Sequence, residues 1–299
     1  MYKYEILSGM KKTALFSTCF VFLCLLQACR QKETMVEPDP AVVEEMARLE
    51  AIENSIPAPK DYTDTLFGVP LEMVYVEGGT FTMGGIPGRD GDKIYGDEKP
   101  AHIVSLSSYY ISRYPIKQEL WEAVMGDNPS EFQDAANPVN NVNWTDAVDF
   151  CIKINLVSGQ NYWLPAEAQW EYAARGGNRS RGTLYSGSDI LSLVGCYHLS
   201  ESCATGQYKP NELGIYDMSG GVWEWCSDWF GEFSADSVSN PQGPEYGFFK
   251  ILKGGSWCSE ALGCRISHRT GGLTYEKSPS VGFRVVMRFP ERRVMPKKG

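Results

Sequence analysis

The sequence predicts one loop-rich α+β domain, on three observations. Helix-like segments cluster between residues 117 and 177, and the chain beyond them breaks into short β-like runs and long loops. Thirty glycines mark frequent turns. Eight tryptophans and 16 tyrosines offer large apolar anchors to a domain with little regular structure, a profile that disfavours a helical bundle. The chain is 43% hydrophobic and 22% charged, which excludes a mostly disordered protein. Its net charge is −9 with no basic block inside the domain, so nucleic acid is excluded as a partner.

The N-terminus reads as an export segment. Lys11-Lys12 precede the apolar run Leu15–Leu26, which is too short for a comfortable membrane span and fits the core of a signal peptide. The run ends in Leu26-Gln27-Ala28-Cys29, which resembles a bacterial lipobox. That resemblance implies cleavage after residue 28, acylation of Cys29, and a lipid-anchored envelope protein. Residues 29–68 are expected to be a tether. Val42, Val43, Met46, Leu49 and Ile52 recur at helical spacing, and Pro57 and Pro59 end the pattern.

The domain is expected over residues 69–290, followed by a basic tail, 291–299. Glu72–Val76 and Thr80–Met83 read as strands around Gly78-Gly79, residues 84–100 as a loop, and Ile103–Ile111 as one strand. Lys117–Met125 and Trp144–Leu156 read as helices, the second capped by Asn143. Pro165–Gly177 has Pro at its start, helix formers inside and a Gly pair to stop it. Six cysteines remain after the export segment and Cys29: Cys151, Cys196, Cys203, Cys226, Cys258 and Cys264. Six cysteines allow 15 complete pairings. With no CxxC pair and three histidines, a zinc ribbon or three-His site is excluded.

Eight blocks follow one another along the domain: Met73–Gly84, Asp97–Pro100, Pro138–Trp144, Leu164–Gly177, Lys209–Gly220, Val222–Trp225, Leu252–Trp257 and Gly282–Arg284. Together they resemble the formylglycine-generating enzyme family, the sulfatase-modifying factor domains. The resemblance implies a variant of the C-type lectin fold. In active members it implies O₂-dependent oxidation of a sulfatase cysteine by two cysteines that hold Cu(I), a soft ion suited to thiolates. Here Cys258 and Cys264 follow Gly254–Trp257, with Cys264 in register with the family's second cysteine and Cys258 one residue early. Three readings stand: a shifted copper pair, a local disulfide, or Cys264 stapled to a distant cysteine such as Cys151. The intervening Ser259–Gly263 lacks the histidine, basic and aromatic residues usual in the enzymes, and Cys264-Arg265 with Arg269 resembles members without the pair.

The family's calcium sites imply Glu224 and the Val222 carbonyl as ligands, although Gly221 stands where the family block carries Asn. The alternative for Glu224 is a buried acid bonded to loop amides. Ala166 stands where the family block carries a capping Thr, which predicts a helix start weaker by about 1 kcal/mol. Trp163 is either a surface contact or packed against a loop. No phosphate loop, Gly-x-Ser-x-Gly elbow or HExxH is present. The expected function is a non-catalytic binding or scaffold module for another envelope protein. The alternatives are a copper oxidase acting on sulfatase polypeptides and a glycan-binding module.

Overall fold

The computed structural model describes residues 60–288. The signal segment 1–28, Cys29, the amphipathic run before Ser55 and the tail 291–299 lie outside them. Strand β1 (Tyr62–Leu66) pairs antiparallel with β2 (Val69–Val76) across a turn in which Phe67 and Gly68 both have positive φ. The expected tether therefore stops short of residue 68, and Leu66 is already buried core.

Strand β3 (Gly79–Met83) is followed by β4 (His102–Leu106) and β5 (Tyr109–Ser112). Helices α1 (Gln118–Met125) and α2 (Trp144–Ser158) come next, then β6 (Tyr162–Trp163) and α3 (Glu167–Ala174). The remainder is β7 (Trp223–Trp229), β8 (Val238–Ser239), β9 (Lys250–Lys253), β10 (Arg269–Gly272), β11 (Val281–Gly282) and β12 (Val286–Arg288). They form three sheets, ordered β1-β2-β5-β12-β6, β10-β9-β7-β11 and β3-β4-β8.

The strand expected over Ile103–Ile111 is in fact two, β4 and β5, in different sheets. The corner is tied by side chains. The Ser107 amide donates to Asn240 Oδ1 at 2.9 Å, and Ser108 Oγ accepts from the Gly78 amide at 3.0 Å. Gly78 must be glycine because a Cβ there would stand 2.5 Å from the Leu106 carbonyl oxygen. Helix α2 starts as expected: Asn143 accepts from the Asp146 amide, Asp146 returns the bond, and Gly159 ends the helix at φ 67°. Helix α3 lacks a side-chain cap at Ala166, but its first amides are not orphaned. Gln169 accepts from the Ala166 amide, and Asp228 on β7 accepts from the Glu167 amide, each at 3.0 Å. A tertiary contact thus replaces the missing threonine.

Two apolar cores flank the five-stranded sheet. One joins α1 and α2 through Trp121, Phe150 and Phe283, with ring centroids 5.3–6.0 Å apart. The other packs Trp170 and Tyr172 of α3 against Met218, Ile251 and Ile266. Between the elements, buried ion pairs weld the loops. Glu167 and Glu171 lie one turn apart on α3. Glu171 meets Lys253 Nζ at 3.0 Å and Arg175 at 2.8 Å, and accepts from the Gly84 amide. Glu167 takes both forks of Arg269 at 2.7 and 2.8 Å. Glu98 takes two nitrogens of Arg265 at 2.6 and 2.9 Å. The guanidiniums spend their other donors mostly on loop carbonyls: Arg265 on Asp90, Arg269 on Asp97 and Gly231, Arg284 on Tyr216 and on Ser112 at the end of β5. Carbonyls without a strand partner are satisfied this way.

Burial alone would raise the Glu171 carboxyl, but Lys253 and Arg175 hold it down at about 2. Its stabilisation is therefore present above the normal glutamate range and is lost as pH falls through about 2. Asp228 goes the other way: burial, then the charge of Glu167, pushes it up to about 7. Its ionisation costs stability as pH rises from about 4 toward 7. Asp228→Asn keeps an acceptor for the Glu167 amide and is expected to gain on the order of 2 kcal/mol over the native protein at pH 8 and little at pH 4, read from urea midpoints. Arg284→Met, which strands the buried Glu224 carboxylate, is expected to cost about 3–5 kcal/mol in the same assay, and Glu224→Gln combined with it should restore part of that loss.

Candidate functional site: the thiol turn

Strand β9 runs into Gly254 and Gly255, at φ 96° and 74°. A Cβ on Gly254 would stand 3.0 Å from the Trp170 ring, and one on Gly255 would stand 2.7 Å from Cys264 Sγ. The glycine pair thus lets the chain fold back onto Cys264. A serine knot holds the turn that follows. Ser259 Oγ accepts from the Ser256 amide at 3.0 Å and lies 2.9 Å from Ser256 Oγ. Cys258 Sγ lies 3.4 Å from Ser256 Oγ.

The two thiols of this turn are unequal. Cys258 is exposed, whereas Cys264 is fully buried among Tyr185, Leu191 and Val194, with Tyr197 and Ala261 packed alongside. Burial, with Cys258 nearby, pushes the Cys264 thiol up to about 12. Both are free, so neither the local disulfide nor the staple to Cys151 is realised. Cys151 is free in the α2 core, where burial raises its thiol strongly. Cys226 is also free and buried. Among the described residues the disulfide is Cys196–Cys203, a pairing that the sequence does not single out from the 15 possible. Its loop lies along the thiol turn: the Leu199 amide donates to the Trp257 carbonyl at 2.7 Å and the His198 amide to the Ser259 carbonyl at 3.1 Å.

A Cu(I) site on this turn needs two accessible thiolates. With Cys264 closed and its proton held, the turn presents one, so the residues as arranged do not fit the copper that active relatives of this fold use. No imidazole joins them: His198 Nδ1 is 3.2 Å from Glu260, and His268 packs at a tilt against the rings of Tyr95 and Trp223.

Glu224 does not fit calcium either. Its oxygens accept from Arg284 at 2.6 and 2.8 Å and from Trp170 Nε1 at 2.7 Å. A divalent ion here would sit against a buried guanidinium. Glu224 is a buried acid, but its partners are side chains rather than the expected loop amides. Val222 is buried beside it. Gly221 is buried at φ 81°, a left-handed conformation that strains any side chain, and a Cβ there would stand 4.0 Å from Asp217 Cβ. Among the described residues, no three of His, Cys, Asp or Glu are grouped to hold a metal. Trp163 is 39% exposed on β6, at one end of the five-stranded sheet, and offers its ring to solvent.

Three curled sheets, few helices and long ion-paired loops define the formylglycine-generating type of the C-type lectin-like fold. Residues 67–289 match the sulfatase-modifying factor enzyme 1-like domain, and the chain belongs to that family. It is 34% identical to the chaperone protein LppX of Paenibacillus barcinonensis, over 72% of this chain and 89% of that one. It is 27% identical to the formylglycine-generating enzyme of Thermomonospora curvata, over 71% of this chain and 92% of that one. Among solved structures it resembles Treponema denticola variable protein 1, with a TM-score of 0.70 and 28% identity over 77% of this chain and all of that one.

Gly255→Ala combines a positive φ with a clash on Cys264 and Gly263, so it is expected to destabilise by at least about 2 kcal/mol in urea unfolding. Gly221→Asn meets no backbone clash but places a side chain at positive φ in a buried site, and is expected to destabilise by about 1 kcal/mol, less than Gly255→Ala.

Proposed function

We propose that this protein is a non-catalytic binding or scaffold module of the bacterial cell envelope, lipid-anchored through Cys29, with another envelope protein as its partner. The observation that carries the reading is the inequality of the two thiols, one exposed and one closed, where the oxidase chemistry needs two thiolates together. Envelope location and acylation rest on the Lys11-Lys12 start, the short apolar core and the Ala28-Cys29 junction. Among the described residues no helix is long and apolar enough to cross a membrane. The similarity to a protein named a chaperone favours a polypeptide partner. The exposed Trp163 ring is a candidate contact for it.

The rival is a formylglycine-generating oxidase acting on a sulfatase polypeptide. It is favoured by the two free thiols of one turn and by the likeness to the Thermomonospora enzyme along most of its length. Anaerobic Cu(I) titration of the native full chain, with ascorbate as the copper reductant and a competing chelator, separates the two. The scaffold reading expects no tight equivalent, and the same weak response from Cys264→Ser. One tight equivalent lost in Cys264→Ser overturns it. Metabolic labelling with a fatty acid is expected to mark the native chain and to be abolished by Cys29→Ser; a labelled Cys29→Ser chain removes the anchor from the proposal.

A further inference from the structure

The Cys196–Cys203 disulfide closes a loop that is packed on the thiol turn from two sides. On the backbone side, the Leu199 amide donates to Trp257 and the His198 amide to Ser259, so the loop brackets Cys258 residue by residue. Cys196 itself joins in, its carbonyl accepting from the Gly221 amide at 2.8 Å while the Trp257 amide donates to the Gly221 carbonyl at 2.8 Å. Gly220 is pressed so closely on Cys196 that a Cβ there would stand 2.2 Å from the Cys196 carbonyl oxygen. On the side-chain side, Tyr197 within the loop packs on the apolar cluster around Cys264, beside Leu191 and Val194 from the segment that leads directly into Cys196. The far end of the loop is tied down at Thr205, whose amide donates to the Ala136 carbonyl at 3.0 Å.

We infer that the disulfide-closed loop 196–203 is the cover of the thiol turn, a positioning element that leaves Cys258 reachable and keeps Cys264 shut. The loop has no strand or helix of its own, so its cross-link adds to these hydrogen bonds as a restraint on its conformations. A dithiol reductant opens it in a balanced step. One thiolate of the reductant attacks a sulfur of the Cys196–Cys203 bond, its second thiol resolves the mixed disulfide, and the reductant leaves oxidised while Cys196 and Cys203 become thiols. The lid over Cys264 then loosens as a local event, without unfolding the two main cores. This inference concerns access alone and does not depend on whether the turn is catalytic.

Two buried cysteines elsewhere, Cys151 in the α2 core and Cys226 in the core under α3, serve as internal reporters of global unfolding. The test is native-state alkylation of the full chain with iodoacetamide, mapped by mass spectrometry, in the native protein and in Cys196→Ser/Cys203→Ser. In the native protein Cys258 is expected to react fast and the other three slowly. In the double variant Cys264 is expected to gain reactivity on the order of tenfold or more, with Cys151 and Cys226 unchanged. The inference is overturned if Cys264 stays as protected as Cys151 and Cys226. It is equally overturned if all three rise together in both this variant and a second one, Tyr197→Ala. That second variant thins the lid with the disulfide intact, and decides the question should the double variant fail to fold. Tyr197→Ala is expected to raise Cys264 alone, and protection of Cys264 in it counts against the lid.

Discussion

Buried carboxylate–cation pairs are the constraint on which this structure depends. Regular elements are short, and much of the chain crosses the surface as loops whose carbonyls have no ladder to join. Glu98, Glu167, Glu171 and Glu224 each sit against a buried cation, and those cations reach onward to loop carbonyls. Removing one partner leaves a charge in an apolar interior, so each pair holds its loop strongly even though it adds little net stability over an apolar equivalent. Helix α3 is the hub. Its two glutamates, one turn apart, gather β9, β10 and the loop at Gly84, while Asp228 ties its N-terminus to β7.

This welding also aims the thiol turn. Lys253 is fixed by Glu171, the next residue Gly254 rests on the Trp170 ring, and Trp170 is in turn bonded to Glu224. The position of Cys264 is thus set by a chain of contacts that begins on α3. None of these contacts involves the accessible thiol. A family fold built in this manner can keep its geometry while the chemistry at the turn is altered, because the residues that hold the turn are not those that would react. The binding proposal requires that separation.

Much of the fold was legible because local physics reports it. The Asn143 cap and the helix over Pro165–Gly177, with Pro at its start and a Gly pair to stop it, follow from what those residues do in any chain. The division at Ser107-Ser108 was not legible, because apolar residues continue across it and the partners that bend it, Asn240 and Gly78, are remote in sequence. The ion pairs were hidden for the same reason: Glu98 and Arg265 are 167 residues apart. Glu224 reads from sequence as a calcium ligand or an acid bonded to loop amides, whereas its partners are Arg284 and Trp170, 60 and 54 residues away along the chain. The candidate site was legible as a pair of residues and not as a geometry. The resemblance to the family implies that Cys258 is displaced by one, but could not show that Cys264 is closed, since its apolar neighbours come from residues 184–197 and 261. The Cys196–Cys203 bond left no mark beyond two cysteines close together in a stretch without periodicity.

Whether the turn performs the oxidation separates the proposed binding module from its rival. The most direct measurement is turnover of a sulfatase-derived cysteine peptide by the Cu(I)-supplemented full chain under O₂, followed by mass spectrometry of the peptide. It is run with the Cys196–Cys203 loop closed and again after its reduction. The account predicts unchanged cysteine peptide in both states. Formylglycine in either state, dependent on Cys258 and Cys264, would contradict it.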